Sequence, residues 1–393
     1  MKEIIREILP GIVEFRHALH RIPEMAGEEH ETSRLIRERL ASLGIPAEKP
    51  YLETDVVALL HGQKGAGKNV TLRADIDALP LDEKTGAAYC STRPGFMHAC
   101  GHDGHTAMLM GAAEVLNRLR DTFPGSVRCV WQPGEESKAM ARELLAAGAL
   151  ENPKADLVTA LHGCPGLPVG SLALRTGAMD ASCAHFRIVI HGRGGHSSRP
   201  HQAIDPVIAA CALVMEVQTI VSRRISPQQA GVMSICRIDG GKTSNVIPDE
   251  VVLEGTARAL DPGVAEELEK GLREITEHVC RMHRCTFEIE YRAAYPVNIN
   301  APGPTDLARG VIRSMDGDRL WELQEAAMGA EDFAYFLQRY PGVYVKIGTG
   351  EDSPALHNSK YNFPDELLPV GIEYLVRFAL EGLKNPEKTS VSH

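Results

Sequence analysis

The chain has 393 residues, 44% of them hydrophobic and 24% charged, and a net charge of −10. That length allows two domains with sizeable buried cores, and the composition is that of an ordinary globular enzyme. Lys and Arg are dispersed rather than gathered into the basic stripe that nucleic acid requires, and no apolar run approaches the roughly 18 residues of a membrane span.

The N-terminal Met1-Lys-Glu-Ile-Ile-Arg-Glu-Ile-Leu alternates charged and apolar residues at helical spacing. It lacks the continuous apolar core of a signal peptide, so a cytoplasmic location is expected. Helical periodicity covers about 3–20 and 31–43. Short β runs follow at 55–61, 69–74, 126–132 and 156–162, with helical spacing at 106–120 and 138–147 between them. Apolar strands alternating with helices indicate an α/β fold, an α/β/α sandwich around a mostly parallel central sheet. From residue 182 the rhythm changes. A strand (184–191) precedes a helix (204–222), two strands (231–239 and 250–260), a helix (263–282) and a last strand (286–291). This β-α-β-β-α-β order is that of a ferredoxin-like α+β module. Residues 294–393 resume α/β character. The expected organisation is a catalytic domain built from 1–181 and 294–393, with a small domain inserted at 182–293.

Chemistry concentrates in His98-Ala-Cys100-Gly-His102-Asp103-Gly-His105, followed by Glu135-Glu136, His162 and His357. Thiol, imidazole and carboxylate are the groups that hold divalent metals such as zinc or manganese. These residues fall just after predicted strands or at helix starts, where open α/β sheets place their ligand sites. Two adjacent carboxylates let one bind metal while the other works as a base. The pattern points to a metal-dependent hydrolase. Nine cysteines, an odd number scattered through apolar segments, argue against a disulfide framework. Cys129 and Cys211 sit among apolar neighbours and read as small core residues, whereas Cys100 lies among Gly and His.

The order of motifs resembles the co-catalytic metal amidohydrolases related to aminoacylases and glutamate carboxypeptidases. Within them it is most similar to the branch of hippurate hydrolases and indole-acetyl-amino acid hydrolases. The resemblance covers nearly the whole chain. Its carriers are Arg16-His-Ala-Leu-His-Arg-Ile-Pro-Glu24, Leu72-Arg-Ala-Asp-Ile-Asp-Ala-Leu-Pro80, Met97–His105 and Gln132-Pro-Gly-Glu-Glu136. Further carriers are Gly192-Arg-Gly-Gly-His-Ser-Ser-Arg-Pro-His201, Thr243-Ser-Asn-Val-Ile-Pro248, Gly329-Ala-Glu-Asp-Phe333 and Leu356-His-Asn358. Each is weak alone; their order and spacing together are specific. One stretch departs from the pattern. After the Glu pair the family runs through several glycines, where this chain has Ser137-Lys-Ala-Met-Ala-Arg.

The resemblance implies that Cys100, His102, Glu136, His162 and His357 bind two divalent ions, Mn or Zn with Co or Ni also suited. Five donors exceed one closed tetrahedral site, and a Cys100 thiolate would bridge the pair. It implies Glu135 as general base, and His196 of the inserted lid as a group stabilising the oxyanion, often across a homodimer. Asn245 and Arg258 would hold the substrate's α-carboxylate, a task the planar Arg fork suits. His98 and His105 are not assigned as ligands; His105 reads as lining or capping a helix start. Asp75 reads either as the carboxylate partner of a ligand histidine or as a strand-end acid. Glu331-Asp332 reads as a helix N-terminus carrying favourable negative charge. The implied reaction is hydrolysis of small N-acyl amino acids, without nucleic-acid or membrane partners. A dipeptidase or carboxypeptidase using the same site is the alternative enzyme, and a catalytically silent binding protein the alternative from another class. A silent relative is expected to have lost the base or a ligand, and this chain has all six residues.

Overall fold

Helix α1 (Lys2–His20) buries Ile5, Ile8, Ile12, Phe15 and Leu19, residues spaced three and four apart along one face. The computed structural model describes residues 1–384. After α1 come α2 (His30–Ser42), β1 (Val56–His61), β2 (Asn69–Asp75), α3 (His102–Arg118), β3 (Ser126–Gln132), α4 (Glu135–Lys138), α5 (Ala141–Ala146), β4 (Leu157–Pro165) and β5 (Leu172–Leu174). The chain divides into two compact units. Of the described residues, the first comprises 1–179, 299–324 and 332–384, and the second 180–298 with 325–331.

The first unit is organised on a seven-stranded sheet in the order β1, β3, β2, β4, Gly342–Gly350, β5, Leu320–Glu322. The central neighbours β3, β2, β4 and Gly342–Gly350 run parallel; β1 is antiparallel to β3, and β5 is antiparallel to Gly342–Gly350. Helices α1, α3 and Leu368–Lys384 pack against one another in a core that includes Ile12, Leu72, Met108, Trp131 and Ile372. A separate cluster of Val130, Leu144, Val158, Phe333 and Phe336 completes the sandwich. β2 is buried at all seven positions. Val70, Leu72 and Ala74 alternate with Asn69, Thr71, Arg73 and Asp75, so one of its faces is apolar and the other is polar yet buried.

The second unit is a four-stranded antiparallel sheet in the order Thr286–Tyr295, Ser182–His191, Glu250–Ala259, Gly231–Asp239. Helices Pro206–Glu216 and Pro262–Met282 pack on it over Phe186, Ile188, Leu213, Leu253, Leu268 and Leu272. Each helix starts with an aspartate whose carboxylate accepts a backbone N–H, Asp205 from Val207 and Asp261 from Val264, followed by proline.

Three elements differ from the sequence reading. Helix α3 begins at His102 rather than 106, so the Cys/His motif runs straight into its first turn. The expected helix 138–147 is two helices, broken where Ala139 adopts φ +51°. The segment Pro206–Arg224, with a mean hydropathy of 1.4, is long and apolar enough for a membrane span, contrary to the reading that no such run exists. Here Ala209, Ala210, Leu213, Val217 and Ile220 are buried in the core of the second unit.

Trp131 is fully buried, and its indole N–H donates to the Thr106 carbonyl at 3.2 Å, tying β3 to α3. Trp131→Ala is expected to destabilise the first unit by about 3–5 kcal/mol. Chemical denaturation of the variant checks this; a loss below 1 kcal/mol would mean that the site collapses freely.

Candidate metal centre

The centre forms where β2 and β3 end at Asp75 and Gln132, beside His162 in the C-terminal half of β4. Two helices start there, and each is entered through a glycine in the left-handed region: Gly101 (φ +85°) before His102, and Gly134 (φ +68°) before Glu135. Only glycine takes that conformation without a steric penalty. A Cβ on Gly134 would also lie 2.4 Å from Met140 Sδ. His357 itself adopts φ +62°, an unusual conformation for a side-chain-bearing residue. Its N–H donates to the Ala99 carbonyl at 2.9 Å, which fixes this distant loop beside Cys100.

The structure brings Cys100, His102, Glu136, His162 and His357 together. Donor atoms of Cys100, His102 and Glu136 all lie within 4.8 Å of one another. Cys100 Sγ is 3.4 Å from His162 Nε2, and His357 Nε2 is 3.3 Å from Glu136 Oε1. His102 Nε2 is 3.8 Å from the same Glu136 oxygen. His102 Nε2 is buried without a hydrogen-bond partner among the described residues, and Glu136 Oε1 is buried with the His357 ring as its ion-pair partner but in no well-aligned hydrogen bond. Buried polar atoms are rarely left so. Lone pairs from imidazole and carboxylate, converging beside a thiol, fit a divalent cation of borderline softness. Glu135, next in the chain to Glu136, is itself 6% exposed.

Burial and mutual charge shift all five candidate ligands. Burial pushes the Cys100 thiol well above its ordinary value, and Glu136, Glu135 and Asp75 push it further. Burial would lower the His102 imidazole, but Asp75, Asp77 and Glu136 raise it to about 10. Burial opposes ionisation of Glu136, yet His357 and His102 hold its carboxyl below the usual range. His357 is raised, chiefly by Glu136. Burial, aided by His105, holds His162 well below its ordinary value, which keeps the ring neutral as a ligand must be.

The acid that orients a candidate ligand is Asp77, which the sequence reading overlooked. Its carbonyl and Oδ1 lie 2.9 and 3.2 Å from His102 Nδ1, and its Oδ2 accepts the Glu136 N–H at 2.9 Å. A proton on Nδ1 turns the lone pair of Nε2 toward the centre. The signal was present in Asp75-Ile-Asp77, and strand alternation alone does not say which acid faces His102. Glu29 was also missed. Its Oε1 accepts N–H groups from Gly27 and Gly134 at 2.8 and 2.9 Å, holding the turn before Glu135. Burial, then Asp77, raises its carboxyl to about 7. Asp103 turns toward Arg16 Nε and His20 Nδ1, each at 2.8 Å. Asp332 stands just before the helix Ala334–Arg339, where its carbonyl accepts the Tyr335 N–H at 2.9 Å. Its carboxylate accepts from Arg73, Gln132 and the Ala141 N–H that opens α5.

His196, Asn245 and Arg258 lie in the second unit. His196 is exposed, in a short ribbon where it pairs with Val246, and the Ser197 N–H donates to the Asn245 carbonyl at 3.1 Å. His196 Nδ1 accepts from the Ser198 N–H at 3.1 Å. Arg258 is on the strand Glu250–Ala259, where its Nη1 donates to the Met328 carbonyl at 2.8 Å. The ribbon thus groups His196 with Asn245 and leaves Arg258 on a different element.

A parallel α/β sheet whose strand ends gather thiol, imidazole and carboxylate around a paired glutamate defines a metal-dependent hydrolase. Residues 71–381 match the model of peptidase family M20/M25/M40, and the chain belongs to this family. It is 36% identical to Thermostable carboxypeptidase 1 of Saccharolobus solfataricus, over 94% of this chain and 95% of that protein. It is likewise 36% identical to the N-acetyl-L-cysteine deacetylase of Bacillus subtilis, over 97% and 90%. A Bacillus subtilis dinuclear metal binding peptidase from the M20 family superposes with a TM-score of 0.85 at 31% identity, covering 96% of this chain and 99% of that one. The chain is accordingly a metal-dependent hydrolase acting on amide bonds.

Two outcomes are expected. Asp77→Ala should weaken divalent-metal binding about 10–100-fold with folding retained, as measured by chelator competition; unchanged affinity would remove Asp77 from the centre. Because Cys100 and His102 hold protons below their raised pKa values, those protons compete with a cation, and the competition eases as pH rises. Metal titration at pH 7 in buffers of different ionisation enthalpy should show net proton release, and none is expected if these two groups are not ligands.

Proposed function

We propose that the protein hydrolyses N-acyl amino acids to a carboxylic acid and a free amino acid at this centre. The observation that carries the reading is the convergence of Cys100, His102, Glu136, His162 and His357 beside Glu135. These five residues would hold two divalent ions, Mn or Zn being preferred and Co or Ni also suited, with Cys100 bridging. Such a pair, when bound, would supply Lewis acidity for the scissile carbonyl and would bring the pKa of water to about 7. Glu135 takes the proton of the attacking water as its oxygen bonds to the carbonyl carbon. It then delivers that proton to the amide nitrogen as the C–N bond breaks. His196 donates to the oxyanion, and Asn245 and Arg258 bind the α-carboxylate of the amino-acid half.

The acylated substrate is favoured because a relative of this similarity is named an N-acetyl-L-cysteine deacetylase. The carboxypeptidase reading has its own support in a relative of equal identity. A homodimer through the inserted unit, and a cytoplasmic location, complete the proposal. Ile208 and Met215 on the helix Pro206–Glu216 are 55% and 70% exposed, which suits a partner surface.

Glu135→Gln is expected to retain metal and lose turnover by about 10²–10⁴-fold. Assays of N-benzoyl-glycine and N-acetyl amino acids against dipeptides, with metal-loaded protein, check this and separate the two readings. An active variant would remove the base assignment. His196→Ala should cost about 2.7–4 kcal/mol of transition-state stabilisation. Mixing it with Glu135→Gln restores activity if His196 acts across a dimer; strictly additive loss would place it within one subunit.

A further inference from the structure

We infer that His105 is a positioning residue for the His162 ligand, acting through the peptide that joins His162 to Gly163; this rests on the reading of His162 as a metal ligand. His105 is buried on the first turn of α3. Its Nε2 accepts the Gly163 N–H at 2.9 Å, and its Nδ1 lies 2.7 Å from Asp75 Oδ1. The backbone N–H is only a donor, so Nε2 must present a lone pair and Nδ1 must carry the proton. Asp75 accepts that proton as a carboxylate, because its other oxygen takes Arg73 Nη1 at 2.7 Å.

The next peptide, from Gly163 to Cys164, engages His162 as well. The Gly163 carbonyl lies 2.8 Å from His162 Nδ1, which makes Nδ1 the donor and leaves the Nε2 lone pair directed at Cys100 Sγ. The rings of His105 and His162 also pack, with centroids 4.5 Å apart. Pairing between β2 and β4 ends at Arg73 and Ala160. Beyond that point β4 loses its partner on this side, and the His105 side chain supplies an acceptor for Gly163 in place of the missing strand. A relay of hydrogen bonds therefore runs from Arg73 through Asp75, His105 and Gly163 to His162.

Donor atoms of His105, Asp75, His102 and His162 lie within 4.8 Å of one another, so His105 could be mistaken for a ligand. Both of its ring nitrogens are already committed, one to a backbone donor and one to a carboxylate. Its contribution is the orientation of its neighbour.

The test exploits the difference in reach between two amides. His105→Gln places an oxygen near the position of Nε2 and keeps an acceptor for Gly163. His105→Asn reaches only as far as Nδ1 and leaves the Gly163 N–H without that acceptor. Stoichiometry and affinity for Co²⁺ are measured by chelator competition on the full chain, alongside kcat and KM, with thermal melts to confirm folding. His105→Asn is expected to bind two ions per chain with about 10–100-fold weaker affinity for one of them, and to lower kcat at nearly unchanged KM. His105→Gln should recover most of both. Saturation at a single ion in both variants would make His105 a ligand and overturn the assignment. Two variants indistinguishable from wild type would overturn it as well. Wild-type protein that binds no divalent cation would sink the metal-centre reading, and this assignment with it.

Discussion

A buried accumulation of negative charge is the constraint on which the first unit turns. Asp75, Asp77, Glu135 and Glu136 are packed near the C-terminal ends of parallel strands, and burial together with Glu136, Glu135 and Asp75 keeps the neighbouring Cys100 thiol protonated. Part of that charge is met by Arg73, and part by imidazoles whose proton affinity the acids raise. Cations in the space beside His102 Nε2 and Glu136 Oε1 would meet the remainder. Metal binding and local stability would then be two aspects of one balance.

Buried ion pairs hold this arrangement in place. Arg73 spans Asp75, Asp332 and Gln132, and Arg16 spans Asp103 and Asp365, all with short bonds. Such pairs repay little of their desolvation, so their value lies in fixing direction. Asp332 returns late in the chain and joins the start of α5 to β2, while Asp103 joins the first turn of α3 to α1. The strained turn at Ala139 belongs to the same economy of space. The family runs through glycines there, whereas this chain holds an alanine at φ +51° between α4 and α5. A left-handed alanine costs roughly 1–2 kcal/mol, which the packing around the Glu pair has to offset.

The strands and long helices of the first unit were legible because burial imposes period on sequence: two in β2 and β3, three to four in α1. Candidate ligands were legible because thiol, imidazole and carboxylate seldom crowd together in one motif for structural reasons. Direction was not legible. Asp75 and Asp77 look equivalent on paper, yet Asp77 orients His102 and Asp75 turns to His105. Asp332 reads as negative charge at a helix N-terminus, and the carboxylate also receives Arg73, Gln132 and the Ala141 N–H, partners far away in sequence. Glu29 carries no local signal, since its partners Gly134 and Thr54 are distant in sequence. The break at Ala139 was hidden because alanine favours helix, and tertiary contacts override that preference.

The account stands most directly on anomalous X-ray scattering from crystals grown with Mn²⁺ or Zn²⁺. The expected result is two peaks about 3.5–4 Å apart, both within bonding distance of Cys100 Sγ, with His102, Glu136, His162 and His357 completing their shells. A single peak, or a pair lying away from that sulfur, would contradict it.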